Sequence, residues 1–482
     1  MKALLSIFVL CSLFVFSNYS FADPAPASAV VASTTAAAPA VTPTINKGDT
    51  AWVIMATILV ITMVIPGLAL FYGGMVRAKN MLSILMQTFA VFSVMAVLWA
   101  IYGYSIAFTE GNAFFGGFSK LFLKGITPDS MAATFSKGVY IPEYIYVAFQ
   151  LTFACITPAL IIGAFAERVK FSAVLLFTAL WFTFSYLPIA HMVWYWAGPD
   201  AYTDAISGEK ALATAGFLFQ KGALDFAGGS VVHINAGVAG LVGCLLIGKR
   251  IGYGKEFIAP HSVTMTMIGA SLLWVGWFGF NVGSNLEANG VSALVFANTL
   301  LATAAATLAW VAAEWLTHDK PSMLGGASGA VAGLVAITPA CAFVAPWAAV
   351  VIGIIAGILC SLAVGLKYKF GFDDSLDVVG VHLVGGIWGS LSIGLFGTHV
   401  VNSIGLDGIF YGGGTALLGK QALGVGLVAA YSFIATLIIG FAIEKTIGFR
   451  VSREVEIEGI DLKEHAESAY ELASSSRGGA SL

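Results

Sequence analysis

Long apolar segments follow one another through this chain from residue 50 to residue 444. A run of about 20 apolar residues crosses the hydrocarbon of a bilayer as a helix. Only 10% of the residues are charged, whereas a soluble domain carries roughly 25%. The sequence therefore predicts an all-α polytopic membrane protein with eleven transmembrane helices, at 50–73, 81–107, 144–166, 171–196, 227–248, 262–284, 291–317, 324–343, 346–367, 376–396 and 421–444.

The two ends of the chain differ from its middle. Residues 1–22 start with Lys2, continue with a short apolar run and end in Ser-Phe-Ala, which predicts a cleaved signal peptide. An uncleaved anchor helix is the alternative. Residues 23–48 are rich in Ala, Pro and Thr and predict a disordered lead-in. The transmembrane domain is then 49–446, and a polar tail occupies 447–482.

The positions of the basic residues indicate how the helices are oriented. A signal peptide directs the chain segment after it to the outer side, so the first helix enters from outside and the odd-numbered connections face the cytoplasm. Outer Lys residues fall mostly in long loops, where the orientation signal is weak. The N-terminus is therefore predicted outside and the C-terminus in the cytoplasm, with these basic residues on the cytoplasmic side: Arg77, Lys79, Arg168, Lys170, Lys249, Arg250, Lys255, Lys320, Lys367, Lys369, Lys445 and Arg450.

Two pairs of segments indicate an internal repeat. LDFAGGSVVHINAG (224–237) and SLDVVGVHLVGG (375–386) both contain Leu-Asp, then small residues, then a histidine. Helices 1 and 6 both carry an aromatic-glycine cluster near one end, although Gly- and Phe-rich helices can also resemble each other by chance. Helices 1–5 and 6–10 thus read as two five-helix halves, and an odd number per half makes them inverted repeats, plus one further helix.

His233 and His382 lie inside apolar segments, where ionisable side chains are rare and usually functional. The repeat predicts that they meet near the centre, where one imidazole can donate a hydrogen bond to the other. A neutral pair in a dry lumen suits a small polar molecule better than a hydrated metal cation. Asp225 and Asp377 precede these histidines; helix caps are the favoured interpretation and a proton relay is the alternative.

Aromatic residues accompany the histidines. Phe149 and Phe153 are spaced by four and so share a helix face, Phe280 lies in WVGWFGFNVGS, and Trp194 ends the fourth segment. Each alone could be a core or membrane-interface residue. Together with a histidine-lined lumen they indicate a vestibule that holds a small cation by cation–π contacts. A haem b held by both histidines in an electron-transfer subunit is a rival interpretation, which no haem-specific spacing supports.

Taken together and in order, FYGG-VR-KN, HMVW, LDFAGG-VVHINA, GWFGFN-GS and GVH resemble the motifs of the ammonium transporter (Amt/Mep/Rh) family, bacterial Amt branch, over roughly residues 49–470. The resemblance implies a multi-pass homotrimer of the bacterial cytoplasmic (inner) membrane with a pore in each subunit. It implies transport of ammonium or ammonia, and of methylammonium, with no enzymatic activity, no cofactor and no nucleic-acid partner. An ammonium sensor of the same fold is the alternative.

The resemblance also implies a role for individual residues. Trp194, Phe153 and Ser284 correspond to the family's ammonium-recruiting site, and Asp225 to the acidic residue that supports it. Phe153 and Phe280 correspond to a phenylalanine gate with Phe149 beside it. His233 and His382 correspond to the pore lumen.

The tail segment EGIDLKEHAESAY (458–470) resembles the family's regulatory tail, which couples to a PII-type nitrogen-regulatory protein. Its candidate residues are Gly459, Asp461, His465 and Tyr470. Ala466 departs from the family, which usually has glycine there. The outer loop 200–222 is longer than the resemblance leads one to expect, and its residues indicate no role.

Overall fold

The computed structural model describes residues 43–470, which fold mainly into long apolar helices. Within that part of the chain, ten helices are long and apolar enough to cross a membrane, and one shorter apolar helix, Met323–Ile337, makes eleven, as predicted. In chain order they are α1 Lys47–Met75, α2 Ala78–Phe108, α3 Glu143–Phe165, α4 Phe171–Trp194, α5 Gly229–Ile247, α6 Val263–Gly283, α7 Gly290–His318, α8 Met323–Ile337, α9 Pro346–Phe370, α10 Val379–Phe396 and α11 Ala416–Thr446.

Helix α8 ends earlier than the predicted segment 324–343. Its last helical residue is Ile337, and Pro339 comes two positions later. Proline has no backbone N–H to donate and clashes with the preceding turn, which favours the end of a helix here, whereas α1 and α3 continue past Pro66 and Pro158. Residues 338–344 instead form tight turns at this end of the bundle.

A small sheet lies at the end of the bundle where α3 begins. Strands β1 (Thr44–Ile45), β2 (Met131–Ala133) and β3 (Val139–Pro142) are ordered β1-β3-β2, with β1 parallel and β2 antiparallel to β3. The disorder predicted for 23–48 is therefore wrong from residue 44 onward, because β1 gains its backbone hydrogen bonds from β3. The predicted signal peptide lies outside the described residues. The remaining elements are short: Leu121–Leu123, Pro199–Ala201, Ala205–Thr214, Phe217–Gln220, Ile409–Tyr411, α12 (Arg453–Glu458) and Asp461–His465.

Glycines let pairs of membrane helices approach to backbone contact. A Cβ atom at Gly269 of α6 would collide with the backbone nitrogen of Phe71 in α1, and one at Gly353 of α9 would collide with the carbonyl of Ala302 in α7. Small residues at such crossings increase van der Waals contact between helices in a membrane. The abundance of glycine in the sequence, 55 residues, thus has a packing role at these crossings.

Buried ion pairs join several helix ends on the side where the tail lies. The Glu167 carboxylate, at the end of α3, accepts from Arg250 Nη1 at 2.6 Å and from Arg77 Nε at 2.9 Å. Arg250 Nη2 also donates to Asp373 at 2.8 Å. Burial alone would raise the pKa of Glu167, but the two guanidiniums outweigh it and lower that pKa to about 2. Residues distant in sequence are thereby fixed to one another by charge.

Candidate functional site

The two predicted lumen histidines meet inside the helix bundle. Their Nδ1 atoms are 3.2 Å apart, their ring centroids are 5.2 Å apart, and both side chains are buried. One Nδ1 donates and the other accepts, so this hydrogen bond forms without either ring carrying charge. The Nε2 atom of His233 is buried and has no hydrogen-bond partner among the described residues. It can therefore bond to a small polar molecule.

Both histidines lie in wide π turns of their helices, Gly229–Ile234 in α5 and Val379–Leu383 in α10. Such turns add one residue to a helical turn and are frequent at functional sites. The two helices therefore share a local design as well as a sequence pattern.

Asp225 caps the helix that carries His233. Its carboxylate accepts from the backbone N–H groups of Gly228, Gly229, Ser230 and Val231, at 2.7–3.1 Å. These are free donors of the first helical turn, which an aspartate at a helix start commonly satisfies. Because both carboxylate oxygens are used in this way, Asp225 fixes the start of α5.

The cap predicted at Asp377 is wrong, and Asp374 has that role. Asp374 accepts from the backbone N–H groups of Val378 at 3.1 Å and Val379 at 2.7 Å. Asp377 has a φ of 62°, and its carboxylate instead pairs with Lys367 Nζ at 2.6 Å. The sequence did contain a signal, because Asp374 lies eight residues before His382, just as Asp225 lies eight residues before His233.

Aromatic rings form a continuous series that ends at the histidines. Trp194 contacts Phe153 edge-on at 5.7 Å, and Phe153 stacks on Phe280 at 4.2 Å with 28° between the ring planes. Phe280 lies 6.1 Å from the ring of His233. Phe149 meets Phe153 edge-on at 5.1 Å. The three phenylalanines are fully buried, whereas Trp194 is partly exposed, so this ring series runs from the surface to the buried histidine pair.

Trp194 and Ser284 are held by backbone carbonyls. Trp194 Nε1 donates to the carbonyl of Asp225 at 2.9 Å, so the capping aspartate also orients the indole. Ser284 Oγ donates to the carbonyl of Phe280 at 2.8 Å. Trp194 and Phe153 are thus in direct contact, while Ser284 is connected to them through Phe280.

Sequence reasoning missed Trp277. Its ring stacks on His233 at 5.4 Å, and its Nε1 donates to Thr338 Oγ1 at 2.8 Å in a fully buried position. The spacing could have identified it, because Trp277 precedes Phe280 by three residues and so lies on the same face of α6. The His233 imidazole is therefore stacked against both Trp277 and His382.

The tail is docked against the membrane helices. Asp461 accepts from the backbone N–H groups of Leu82 at 2.8 Å and Ser83 at 2.7 Å in α2. His465 contacts the ring of Phe171, Tyr470 bonds to His261 at 2.8 Å, and Gly459 lies against Lys79 with a φ of 124°.

Ala466 adopts the left-handed conformation, with φ 55° and ψ 28°. Glycine adopts this conformation without steric cost, whereas alanine brings its Cβ close to the backbone, at a cost of roughly 1 kcal/mol. The backbone turn in the tail therefore forms here without glycine.

Known proteins resemble this chain over most of its length. The model described as Ammonium Transporter Family matches residues 51–470. An ammonium transporter of Mycobacterium bovis is 47% identical over 445 residues, which cover 89% of this chain and 91% of the relative. One of Bacillus subtilis is 45% identical, covering 88% and 99%.

Two solved structures resemble the fold. Candida albicans Mep2 superposes with a TM-score of 0.75 at 34% identity, covering 85% of this chain and 87% of Mep2. A structure described as Sensor Amt Protein superposes with a TM-score of 0.76 at 28% identity, covering 87% of this chain and 98% of that protein.

Proposed function

Since this chain belongs to the Ammonium Transporter Family and is an ammonium transporter, we propose that it recruits ammonium beside Trp194, deprotonates it, and conducts ammonia past His233 and His382. The observation that carries this proposal is the unbroken ring series from the partly exposed Trp194 to the buried histidine pair. Recruitment, deprotonation and conduction each depend on the polarity of one part of that series.

Recruitment uses the faces of aromatic rings, which carry the negative part of the ring quadrupole. Trp194 and Phe153 meet edge-on, so a small cation beside them faces the negative π cloud of at least one ring. Ser284, at the C-terminal end of α6, offers a hydroxyl oxygen to the same cation. Asp225 contributes indirectly, because its carbonyl fixes the indole while its carboxylate keeps negative charge close to the site.

Deprotonation is favoured because moving a charged ammonium ion beyond the stacked phenylalanines costs free energy. Phe153 and Phe280 stack at 4.2 Å and are fully buried, so a cation beyond them would lose its water without gaining a charged partner. Ammonium can avoid this cost by giving up a proton, and potassium cannot. Neutral ammonia can then exchange hydrogen bonds with the imidazole pair, along which a proton can also travel separately.

The remaining expectations belong to the same proposal. A homotrimer in the bacterial inner membrane, oriented with the N-terminus outside, is supported by family membership and by the distribution of basic residues. Methylammonium is the second substrate, because it retains the charge and the N–H donors that the site uses. The docked tail, including Gly459, Asp461, His465 and Tyr470, offers an ordered surface to a PII-type regulatory protein.

An ammonium concentration jump on reconstituted protein tests the function. We expect a transient current on a solid-supported membrane for ammonium and methylammonium, and none for an equal jump of potassium. We also expect methylammonium uptake in a strain that lacks its own transporters. A protein that only senses ammonium would bind it and give neither signal, and a Soret band in the purified protein would instead indicate haem.

Replacing Trp194 by leucine is expected to raise the apparent KM for methylammonium about three- to ten-fold, the usual range for loss of one cation–π contact. The maximal rate should change little, because the buried part of the passage is untouched. Uptake measured over a range of concentrations gives both values. Trp347→Leu is the control, because Trp347 lies half-exposed at the start of α9, outside the ring series. An unchanged KM in Trp194→Leu would contradict recruitment at this site.

A further inference from the structure

The β2–β3 hairpin brings a further aromatic residue to the recruiting end. Its tip is residues 134–138, and Phe135 in that tip stacks on Trp196 at 5.9 Å and on Phe226 at 6.4 Å, with 21° and 25° between the ring planes. Trp196 lies two residues after Trp194, and Phe226 lies directly after Asp225. Phe135 is thus wedged between the two chain segments that carry the recruiting tryptophan and the capping aspartate.

A buried carboxylate holds the hairpin tip in place. Glu287, 5% exposed, accepts from the backbone N–H groups of Phe135 at 3.1 Å and Ser136 at 2.8 Å. It also accepts from Ser136 Oγ at 2.9 Å and from Asn289 Nδ2 at 2.8 Å. These charge-assisted bonds offset the cost of burying the carboxylate. Glu287 lies three residues after Ser284, so it ties the hairpin to the segment that comes after α6.

The long outer loop 200–222 also contacts the hairpin and Trp196. Asp200 accepts from the backbone N–H of Gly138 at 3.1 Å and from the Tyr140 hydroxyl at 2.7 Å. That hydrogen bond, with burial, raises the pKa of Tyr140 to about 12. Phe219 of this loop stacks on Trp196 at 5.6 Å. The four rings Phe219, Trp196, Phe135 and Phe226 form what we call the outer ring row.

We propose that Glu287 is a positioning residue for cation recruitment: it fixes Phe135 in the outer ring row, and the row fixes the segments that carry Trp194 and Asp225. This inference rests on the proposed function, because it takes the Trp194 site as the place where ammonium binds. The carboxylate oxygens of Glu287 are engaged by N–H and O–H donors of the protein. In this role Glu287 acts through the rings and does not contact the cation.

The rival role for Glu287 is long-range attraction of the cation by its negative charge. The two roles predict different results for the isosteric variant. Glutamine keeps an oxygen that can accept from the hairpin backbone but carries no charge. A positioning role is therefore largely retained in Glu287→Gln, whereas an attraction role is lost in it as completely as in Glu287→Ala.

The test measures methylammonium uptake by the full chain over a range of concentrations. We expect Glu287→Ala and Phe135→Leu each to raise the apparent KM about three- to ten-fold with little change in the maximal rate. The KM of the double variant should not exceed the higher of the two single-variant KM values, because both changes remove one coupled unit. Glu287→Gln should stay within about two-fold of the unaltered protein. Glu209→Gln, on the exposed helix Ala205–Thr214, controls for loss of a negative charge at this end and should leave KM unchanged.

Three results would overturn the inference. The first is an unchanged KM in a folded Glu287→Ala protein. The second is a KM in Glu287→Gln as high as that in Glu287→Ala, together with an unchanged KM in Phe135→Leu. If Glu287→Ala does not fold, the KM values of Phe135→Leu and Glu287→Gln are used instead, and an unchanged KM in Phe135→Leu is the third. Failure of the proposed function is a separate outcome: the unaltered protein would give no uptake, or Trp194→Leu would keep the original KM.

Discussion

Replacing His233 by alanine is expected to lower the ammonium-driven current about a hundred-fold, the lower end of what a positioned proton-transfer group contributes. The change removes the partner of His382 Nδ1 and the unpartnered Nε2, so the buried part of the passage loses the imidazole that could receive a proton beyond Phe280. Currents after ammonium jumps, normalised to the amount of reconstituted protein, measure the effect.

The control for this variant is His399→Ala, since His399 is exposed, pairs with Asp407 and is not a member of the ring series. Its current should equal that of the unaltered protein. The unfolding temperature of His233→Ala in detergent reports whether the fold survives. A folded His233→Ala protein with full current would show that conduction does not depend on the His233 imidazole.

Replacing Glu167 by alanine is expected to destabilise the protein by about 3–5 kcal/mol, the usual cost of removing one partner from a buried ion pair. Arg77 loses its carboxylate, and Arg250 keeps only Asp373. The midpoint of thermal unfolding in detergent measures the loss. Glu458→Ala is the control, because Glu458 and its partner Lys463 are both largely exposed, and screened surface pairs contribute little.

The unaltered protein and Glu167→Ala should also differ in how their stability responds to acid. The pKa of Glu167 in the folded protein is about 2, below its ordinary value of 4.5, so its stabilising contribution is fully present above 4.5. It is lost as the pH falls from 4.5 towards 2, where the folded protein must also take up the proton. The difference in unfolding temperature between the unaltered protein and Glu167→Ala should therefore shrink through that range. A constant difference would mean that Glu167 is not held as a carboxylate by the two arginines.

The eleven helices could be predicted because each must satisfy its backbone inside lipid, which demands a long apolar run that is visible in sequence. The meeting of His233 and His382 could be inferred because the repeat imposes it. The π turns that carry them could not, since one extra residue per turn leaves no mark in hydropathy. Asp374 and Asp377 differ from the π turns in this respect: both precede α10, and the spacing of eight residues to the histidine, shared by Asp225 and Asp374, could have identified Asp374 as the cap.

Strand β1 and the hairpin tip were beyond sequence reasoning for a different reason. Thr44 and Ile45 lie at the end of an Ala/Pro/Thr-rich stretch, and their strand exists only because β3, about a hundred positions later, offers a free edge. Glu287 sits between Leu286 and Ala288 in a short loop and gives no local sign that its carboxylate binds a distant hairpin. Contacts of this kind depend on tertiary packing, which local sequence patterns do not reveal.

The docked tail limits how the chain can be shortened or fused for experiments. Asp461 accepts hydrogen bonds from two backbone N–H groups of α2. The Glu456 carboxylate accepts from the Arg450 guanidinium and from the backbone N–H of Ile251. A truncation placed after α11, at Thr446, would remove these acceptors and alter the membrane helices themselves. Reporter proteins and affinity tags are therefore best joined beyond Tyr470, where the docked contacts described above have already been made.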